Sequence, residues 1–358
     1  MRVIRCDGSP GAVAELRDAL DGVLAGGPAI APIGAADDVP VLESRPGPGR
    51  VVLTTSGSTG EVKLVLLPAD ALRVSAASTH RRLGGPGRWL LALPAQHVAG
   101  LQVLVRSVLA GTDPEVLDLR DGFDPAAFAA AARRLPPGRR YTSLVPTQLR
   151  WLLEVDPAGL TGFDAVLLGG AAAPPGLVER ARAAGVAVVT TYGMTETCGG
   201  CVYDGHPLDG VRVRLDGAGD DGRIELAGPV LAEGYLGRPR DPALRGGWLR
   251  TSDLGRLGAG GRLRVLGRVD DVIVTGGVNV APAEVEQVLH GLPGVSDACV
   301  VGLPDPVWGQ RVVAAVVPAD PARPPDPAVL LADARRALSG AQAPKRVVLL
   351  DALPLHGI

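Results

Sequence analysis

Val51-Val-Leu-Thr-Thr-Ser-Gly-Ser-Thr-Gly-Glu-Val-Lys63 runs from three apolar residues into hydroxyls and glycines and ends on a lysine. The apolar start reads as a buried strand, which places the stretch inside a layered α/β core. The loop that follows suits polyphosphate. Glycines let the backbone approach oxyanions and turn N–H groups toward them, hydroxyls add donors, and Lys63 adds charge. It is not the Walker loop, which needs Gly-x-x-x-x-Gly-Lys-Ser/Thr. A Ser/Gly surface linker is the alternative, yet linkers seldom follow a buried strand and end in a lone lysine.

On either side of this loop, short Val/Leu/Ile runs alternate with Ala-rich amphipathic segments. Strands are expected at 50–54, 88–93, 140–145, 164–168 and 186–191, and helices at 11–25, 125–135 and 175–184. Val13, Leu16, Leu20, Val23 and Leu24 fall at helical spacing, and Pro125 and Pro175 sit where a first helical turn tolerates proline. Buried strands alternating with helices predict a large layered α/β domain. From about residue 208 polar and apolar residues alternate between Gly/Asp turns, as in Val211-Arg-Val-Arg-Leu, Arg223-Ile-Glu-Leu and Arg262-Leu-Arg-Val-Leu. These read as an appended antiparallel, half-exposed β unit. Beyond Gly267-Arg268-Val269-Asp270-Asp271 the pattern becomes strand (272–275), Gly-Gly turn, helix from Pro282, strand (297–302), hairpin (310–317), helix (326–339) and strand (346–350). That is a small α+β domain of ordinary size. The expected organisation is therefore a large domain over 1–267, a hinge over 268–271, and a small mobile domain over 272–358.

The chain has 358 residues and a formal net charge of −2. Near neutrality gives no reason to expect nucleic acid or an anionic membrane as partner. The start lacks a signal-peptide apolar region and no apolar run is long enough to span a bilayer, so a cytoplasmic location is expected. Four cysteines in a chain of this size do not make a disulfide scaffold. A homo-oligomer is compatible with the sequence.

Further motifs follow the phosphate loop in order: Leu93-Pro-Ala-Gln-His97-Val-Ala-Gly100, Leu168-Gly-Gly-Ala-Ala172, Thr191-Tyr-Gly-Met-Thr-Glu-Thr197, Trp248-Leu-Arg-Thr-Ser-Asp253-Leu-Gly255, and Gly267–Asp271 with Gly276-Gly-Val-Asn-Val280. From about residue 50 to the end this order resembles the adenylate-forming superfamily of acyl-CoA ligases, peptide-synthetase adenylation domains and luciferases. His97-Val-Ala-Gly-Leu-Gln-Val-Leu-Val-Arg106-Ser and Tyr192–Thr197-Cys-Gly-Gly-Cys-Val-Tyr are most similar to its o-succinylbenzoate–CoA ligases of menaquinone biosynthesis.

The resemblance implies an AMP-forming acid–thiol ligase using ATP, Mg²⁺ and coenzyme A on o-succinylbenzoate or a related aromatic acid. It puts Thr55, Ser56, Gly57, Ser58, Thr59, Gly60 and Lys63 on the β/γ-phosphates, and Thr195 on the α-phosphate. Glu196 becomes the Mg²⁺ ligand, directly or through water, since Mg²⁺ favours carboxylate with phosphate oxygens. Gly170, Ala171, Tyr192, Gly193 and Met194 would enclose adenine, Asp253 would take the ribose hydroxyls, and Arg268 the ribose or phosphate. His97, Gln102, Arg106, Gly193 and Cys198 would line the acid site, and Asp270 would be the hinge.

Each residue also has a plainer reading. Glu196 could be a solvated turn carboxylate, Asp253 and Arg268 a surface pair of little worth, and His97 a packed or capping residue. Gln102 and Arg106 lie one turn apart on an otherwise apolar helix, and a buried arginine needs an anion. That anion is either an internal carboxylate or the substrate's second one. Cys198-Gly-Gly-Cys201 has redox or zinc spacing, but no second pair completes a four-thiolate site, and a small-residue pocket wall is the preferred reading. The superfamily's Gly-Lys step is expected beyond Leu353-Pro-Leu-His-Gly-Ile358. Neither lysine of the sequence, Lys63 or Lys345, matches it, so a nucleotide-binding module impaired in turnover stays open, as does a ligase for another acid.

Overall fold

The computed structural model describes residues 1–39, 46–56, 62–174, 176–217, 220–238, 241–338 and 340–353, the side chain of Ser56 excepted. Two compact units emerge. The first comprises Met1–Ala173, Leu177–Arg214 and Glu225–Arg250, and the second Pro174–Gly176, Leu215–Ile224 and Thr251–Ile358.

In the first unit, β1 (Arg2–Cys6), α1 (Pro10–Leu24), β2 (Ile30–Gly34), β3 (Arg50–Ser56), β4 (Val62–Pro68) and α2 (Ala69–Arg82) are followed by β5 (Arg88–Leu91), α3 (Val98–Ala110) and β6 (Glu115–Val116). Then come α4 (Pro125–Arg134), β7 (Arg140–Leu144), α5 (Pro146–Val155), α6 (Ala158–Thr161), β8 (Ala165–Leu168), α7 (Leu177–Ala183), β9 (Val188–Met194), β10 (Gly199–Tyr203) and β11 (His206–Pro207). Among the described residues one sheet has the order β11-β10-β9-β8-β7-β5-β6. Its central pairs β5–β7, β7–β8 and β8–β9 are parallel. Strands covered by helices on both faces read as unbroken apolar runs, and all four residues of β8 are buried. Phe128, Leu149, Leu152 and Ala181 from α4, α5 and α7 close the core over Leu144, Val166 and Leu168.

Local chemistry explains the helix ends. The Ser9 hydroxyl accepts the Ala12 N–H at 3.2 Å and Pro10 opens α1, whose buried face is Val13, Leu16, Leu20, Val23 and Leu24, as its spacing predicts. Asp124 caps α4 through Ala126 N–H at 2.9 Å, ahead of Pro125. Helix α3 is apolar nearly all round, and its middle is buried, as that composition requires.

The strand expectation at Val51 is met: β3 has Val51, Val52 and Leu53 buried, runs parallel to β2, and turns antiparallel onto β4. In the β-rich stretch, β12 (Arg212–Asp216), β13 (Asp221–Ala227), β14 (Gly234–Tyr235), β15 (Leu244–Arg245), β16 (Trp248–Leu257) and β17 (Leu263–Arg268) follow. Strand β14 joins the β3–β4 sheet, with Gly234 opposite Leu66 and Tyr235 opposite Val65.

The second unit continues with β18 (Ile273–Thr275), β19 (Val278–Val280), α8 (Pro282–His290), β20 (Val295–Asp305), β21 (Gly309–Pro318), α9 (Pro327–Ala337) and β22 (Arg346–Leu349). Gly276 and Gly277 join β18 to β19 with φ of 56° and 79°, the positive values that a two-residue hairpin turn demands. Val285 and Leu289 of α8, and Leu330 and Ala334 of α9, pack on Val300, Val312, Ala314 and Val316. The fold is the expected mixed α/β one, with a large N-terminal and a small C-terminal part.

Candidate active site

Four of the glycines and hydroxyl residues assigned to phosphate (Gly57, Ser58, Thr59 and Gly60) lie outside the described residues, as does the side chain of Ser56. Their flanks are described. Ser56 pairs with Val62 and Thr55 with Lys63 in the last described rungs of the β3–β4 ladder. The Lys63 ammonium lies 4.7 Å from the centre of the Tyr235 ring and 3.8 Å from Asp241 Oδ2. Tyr235, 6% exposed, donates its phenolic hydrogen to Glu196 Oε1 at 2.8 Å. Burial first, and the Glu196 carboxylate second, push this phenol far above its ordinary range, so it stays a donor. The structure thus brings the predicted phosphate lysine and the predicted metal carboxylate to one tyrosine.

Glu196 sits in a short 3₁₀ turn, Thr195–Thr197, at the tip of the β9–β10 hairpin. The Thr197 hydroxyl locks that turn, accepting the Met194 N–H at 2.9 Å and lying 2.7 Å from the Gly199 carbonyl oxygen. Gly193 opposes Gly200 across the hairpin. A Cβ on Gly193 would stand 2.2 Å from the Gly199 oxygen, so only glycine fits. Tyr192, Gly193, Met194, Thr195 and Glu196 are half-buried. Gly170 and Ala171, after β8, are exposed, and Thr191 ties that segment by donating to the Leu168 carbonyl at 3.2 Å.

Cys198 takes the left-handed conformation (φ 52°), and its carbonyl accepts two buried donors, Gln102 Nε2 at 2.8 Å and Ser75 Oγ at 3.1 Å. Gln102 therefore binds α3 to the turn carrying Glu196. Both Cys198 and Cys201 are buried free thiols. Burial raises both, Cys201 to about 12 and Cys198 further, so neither is a ready thiolate. No group of three or more His, Cys, Asp or Glu able to hold a metal occurs among the described residues. A single carboxylate still fits Mg²⁺, which completes its shell with phosphate oxygens and water. The Tyr235 hydrogen bond fixes one oxygen of Glu196 and leaves the other to serve.

His97 precedes α3 without capping it through its side chain. The imidazole is exposed, and its crowded surroundings lower its proton affinity while Asp37 opposes this weakly, so it favours the neutral form. Arg106, one turn on from Gln102 in α3, is 3% exposed. Its guanidinium stacks 4.9 Å from Trp89 and lies 3.4 Å from the Tyr203 hydroxyl. No carboxylate pairs with it among the described residues, its Nε has no hydrogen-bond partner, and burial lowers its proton affinity. The internal salt bridge allowed by the sequence is thus absent there.

Asp253 and Arg268 belong to the second unit and stand directly opposite on β16 and β17. Arg268 lies 3.7 Å from Asp270 in the turn after β17. Lys345 is engaged within its own unit, donating to the Gly340 carbonyl at 2.7 Å and resting 5.5 Å from the Trp308 ring. Tyr235 and Asp241 went unnoticed in the sequence. A tyrosine in Glu233-Gly-Tyr-Leu236 announces nothing until β14 pairs with β4.

Comparison with known proteins places this geometry. The model of the AMP-binding enzyme family matches residues 25–236, and that of the AMP-binding enzyme C-terminal domain matches 284–357. The chain is 50% identical over 314 residues to a probable 2-succinylbenzoate–CoA ligase of Mycobacterium tuberculosis, covering 86% of this chain and 81% of that protein. It is also similar to o-succinylbenzoate CoA synthetase from Bacillus subtilis in complex with the acyl-adenylate intermediate, with TM-score 0.76 and 28% identity over 95% of this chain and 78% of the other. The same enzyme in complex with ATP and magnesium ion gives TM-score 0.74 at 28% identity, with 95% and 79% covered.

Proposed function

The chain belongs to the AMP-binding enzyme family, and from that premise we propose that it is an ATP-dependent acid–CoA ligase converting o-succinylbenzoate to o-succinylbenzoyl-CoA in menaquinone biosynthesis. A carboxylate is a poor acyl donor because its leaving group would be oxide. Attack of the acid's carboxylate oxygen on the α-phosphorus of ATP forms the acyl-adenylate and releases pyrophosphate. The coenzyme A thiol then attacks the acyl carbon, and AMP leaves with the carbon–oxygen bond electrons.

The observation that carries this reading is the convergence of Lys63 and Glu196 on Tyr235. It supports a site for the polyphosphate, with Lys63 and the loop residues Thr55 to Gly60 as its donors. Glu196 would hold Mg²⁺, which when bound neutralises phosphate charge. Thr195 would meet the α-phosphate; Gly170, Ala171, Tyr192, Gly193 and Met194 would enclose adenine; Asp253 and Arg268 would serve the ribose. His97, neutral and exposed, would hydrogen-bond near the reacting carboxylate. Gln102 and Cys198 would form the wall beside it, and Arg106 would face the second carboxylate.

The test is incubation with ATP, Mg²⁺, coenzyme A and o-succinylbenzoate, reading AMP, pyrophosphate and thioester together. All three should appear in step and depend on the acid. Thioester from an aromatic monocarboxylate, with none from o-succinylbenzoate, would overturn the substrate assignment. Absence of AMP with every acid would overturn the ligase itself.

A further inference from the structure

Tyr235 touches both charged groups of the phosphate pole and is bolted to the elements that carry them. Its neighbours Glu233 and Leu236 donate backbone hydrogen bonds to Leu66 and Leu64 of β4 at 2.9 and 2.8 Å, on the strand that bears Lys63. The Ala232 N–H donates to the carbonyl of Glu196 at 2.8 Å. The segment therefore clasps the lysine strand on one side and the glutamate turn on the other. From its side chain, the hydroxyl fixes Glu196 Oε1 and the ring face supports the Lys63 ammonium, with Asp241 Oδ2 beyond.

We propose that Tyr235 is a positioning residue for the metal–phosphate pole, orienting the Glu196 carboxylate through its hydroxyl and Lys63 through its ring. This rests on the reading in which Glu196 holds Mg²⁺ and Lys63 meets phosphate. A carboxylate with one oxygen pinned by a neutral donor presents the other in a set direction, which a small ion with strict geometry rewards. An ammonium over an aromatic face keeps its charge while losing rotational freedom, so it is already ordered when phosphate arrives. Asp241 gives Lys63 a partner that phosphate oxygens replace.

The experiment measures ATP binding by calorimetry in Mg²⁺ and in EDTA, for the wild type, Tyr235→Phe, Tyr235→Leu and Glu196→Gln. Tyr235→Phe keeps the ring and removes only the hydroxyl. It should lower the gain in ATP affinity that Mg²⁺ brings by about ten- to a hundredfold, the scale of one charge-assisted hydrogen bond. Its affinity in EDTA should be unchanged. Tyr235→Leu should lose affinity in EDTA as well, because Lys63 loses its support. Equal losses with and without Mg²⁺ in Tyr235→Phe would mark a merely structural residue and overturn the proposal, and so would an undiminished gain. Glu196→Gln separates the two ideas. If it loses the Mg²⁺ gain while Tyr235→Phe keeps it, the positioning role alone fails. If Glu196→Gln keeps the gain, the metal-ligand reading fails and the positioning role with it.

Discussion

Arg106 and His80 share one buried neighbourhood with Trp89, and their fates differ because their charges can. An arginine cannot shed its proton, so Arg106 spreads its charge over the Trp89 face and the Tyr203 hydroxyl. His80 can, and burial together with Arg106 lowers its pKa from 6.5 to about 4. Between those values the unfolded chain takes up a proton that the folded one refuses, so stability falls as pH drops from 6.5 toward 4. The shift corresponds to about 3 kcal/mol. Denaturant unfolding across that window should show His80→Gln losing less stability than the wild type; parallel losses would mean the folded imidazole is protonated normally. Arg106→Leu should raise the KM for the dicarboxylate by roughly ten- to a hundredfold, as losing a charge-assisted contact worth about 1.5–3 kcal/mol implies. ATP affinity should hold. Equal losses for acid and ATP would make Arg106 a support of the fold instead.

The hairpin β9–β10 is the element on which the proposed site depends, because its tip carries Glu196 and Cys198 and its first strand carries Tyr192. Its register is set where two glycines face each other, Gly193 and Gly200, and where Thr197 bridges both strands. Gly193→Ala must push a Cβ against the Gly199 carbonyl. The strands have to part, at a cost of about 1–3 kcal/mol. A thermal melt should show that loss, and adenylation should fall more steeply than stability because the Glu196 turn moves with the strand. A variant that melts and adenylates like the wild type would show that the hairpin adjusts freely.

At the scale of the whole molecule, residues 268–271 are where we propose that the chain pivots between adenylation and thioester formation. The segment is short: Val269 N–H donates to the Ser252 carbonyl at 2.7 Å, and Asp271 N–H and Val272 N–H donate to the Arg268 and Val269 carbonyls, both at 3.3 Å. A hinge residue must absorb a large change in φ and ψ, and proline forbids most of it. Asp270→Pro should therefore slow one half-reaction far more than the other, read as pyrophosphate exchange against thioester formation from supplied acyl-adenylate. Normal rates for both would put the pivot elsewhere. Among the described residues no helix is long and apolar enough to cross a membrane.

Much of the fold was legible because periodicity reports which face of an element is buried. The inner face of α1 and the unbroken apolar run of β8 follow from residues a few positions apart. Strand β10 was harder to see, since its Gly199 and Gly200 disfavour an extended strand and are held only by pairing with β9. The motifs named Lys63 and Glu196, but local pattern carries no word of what meets them. Tyr235 lies 39 residues from Glu196, and it arrives there only because β14 adds to the edge of β4. Whether Arg106 finds an internal carboxylate was likewise undecidable from α3 alone. Its neighbours are Trp89 and Tyr203, brought in from other strands. Local sequence thus determined the elements and their buried faces, through steric preference and burial of apolar surface. Tertiary structure decided which charges meet, because that depends on strand pairings between segments far apart in the chain.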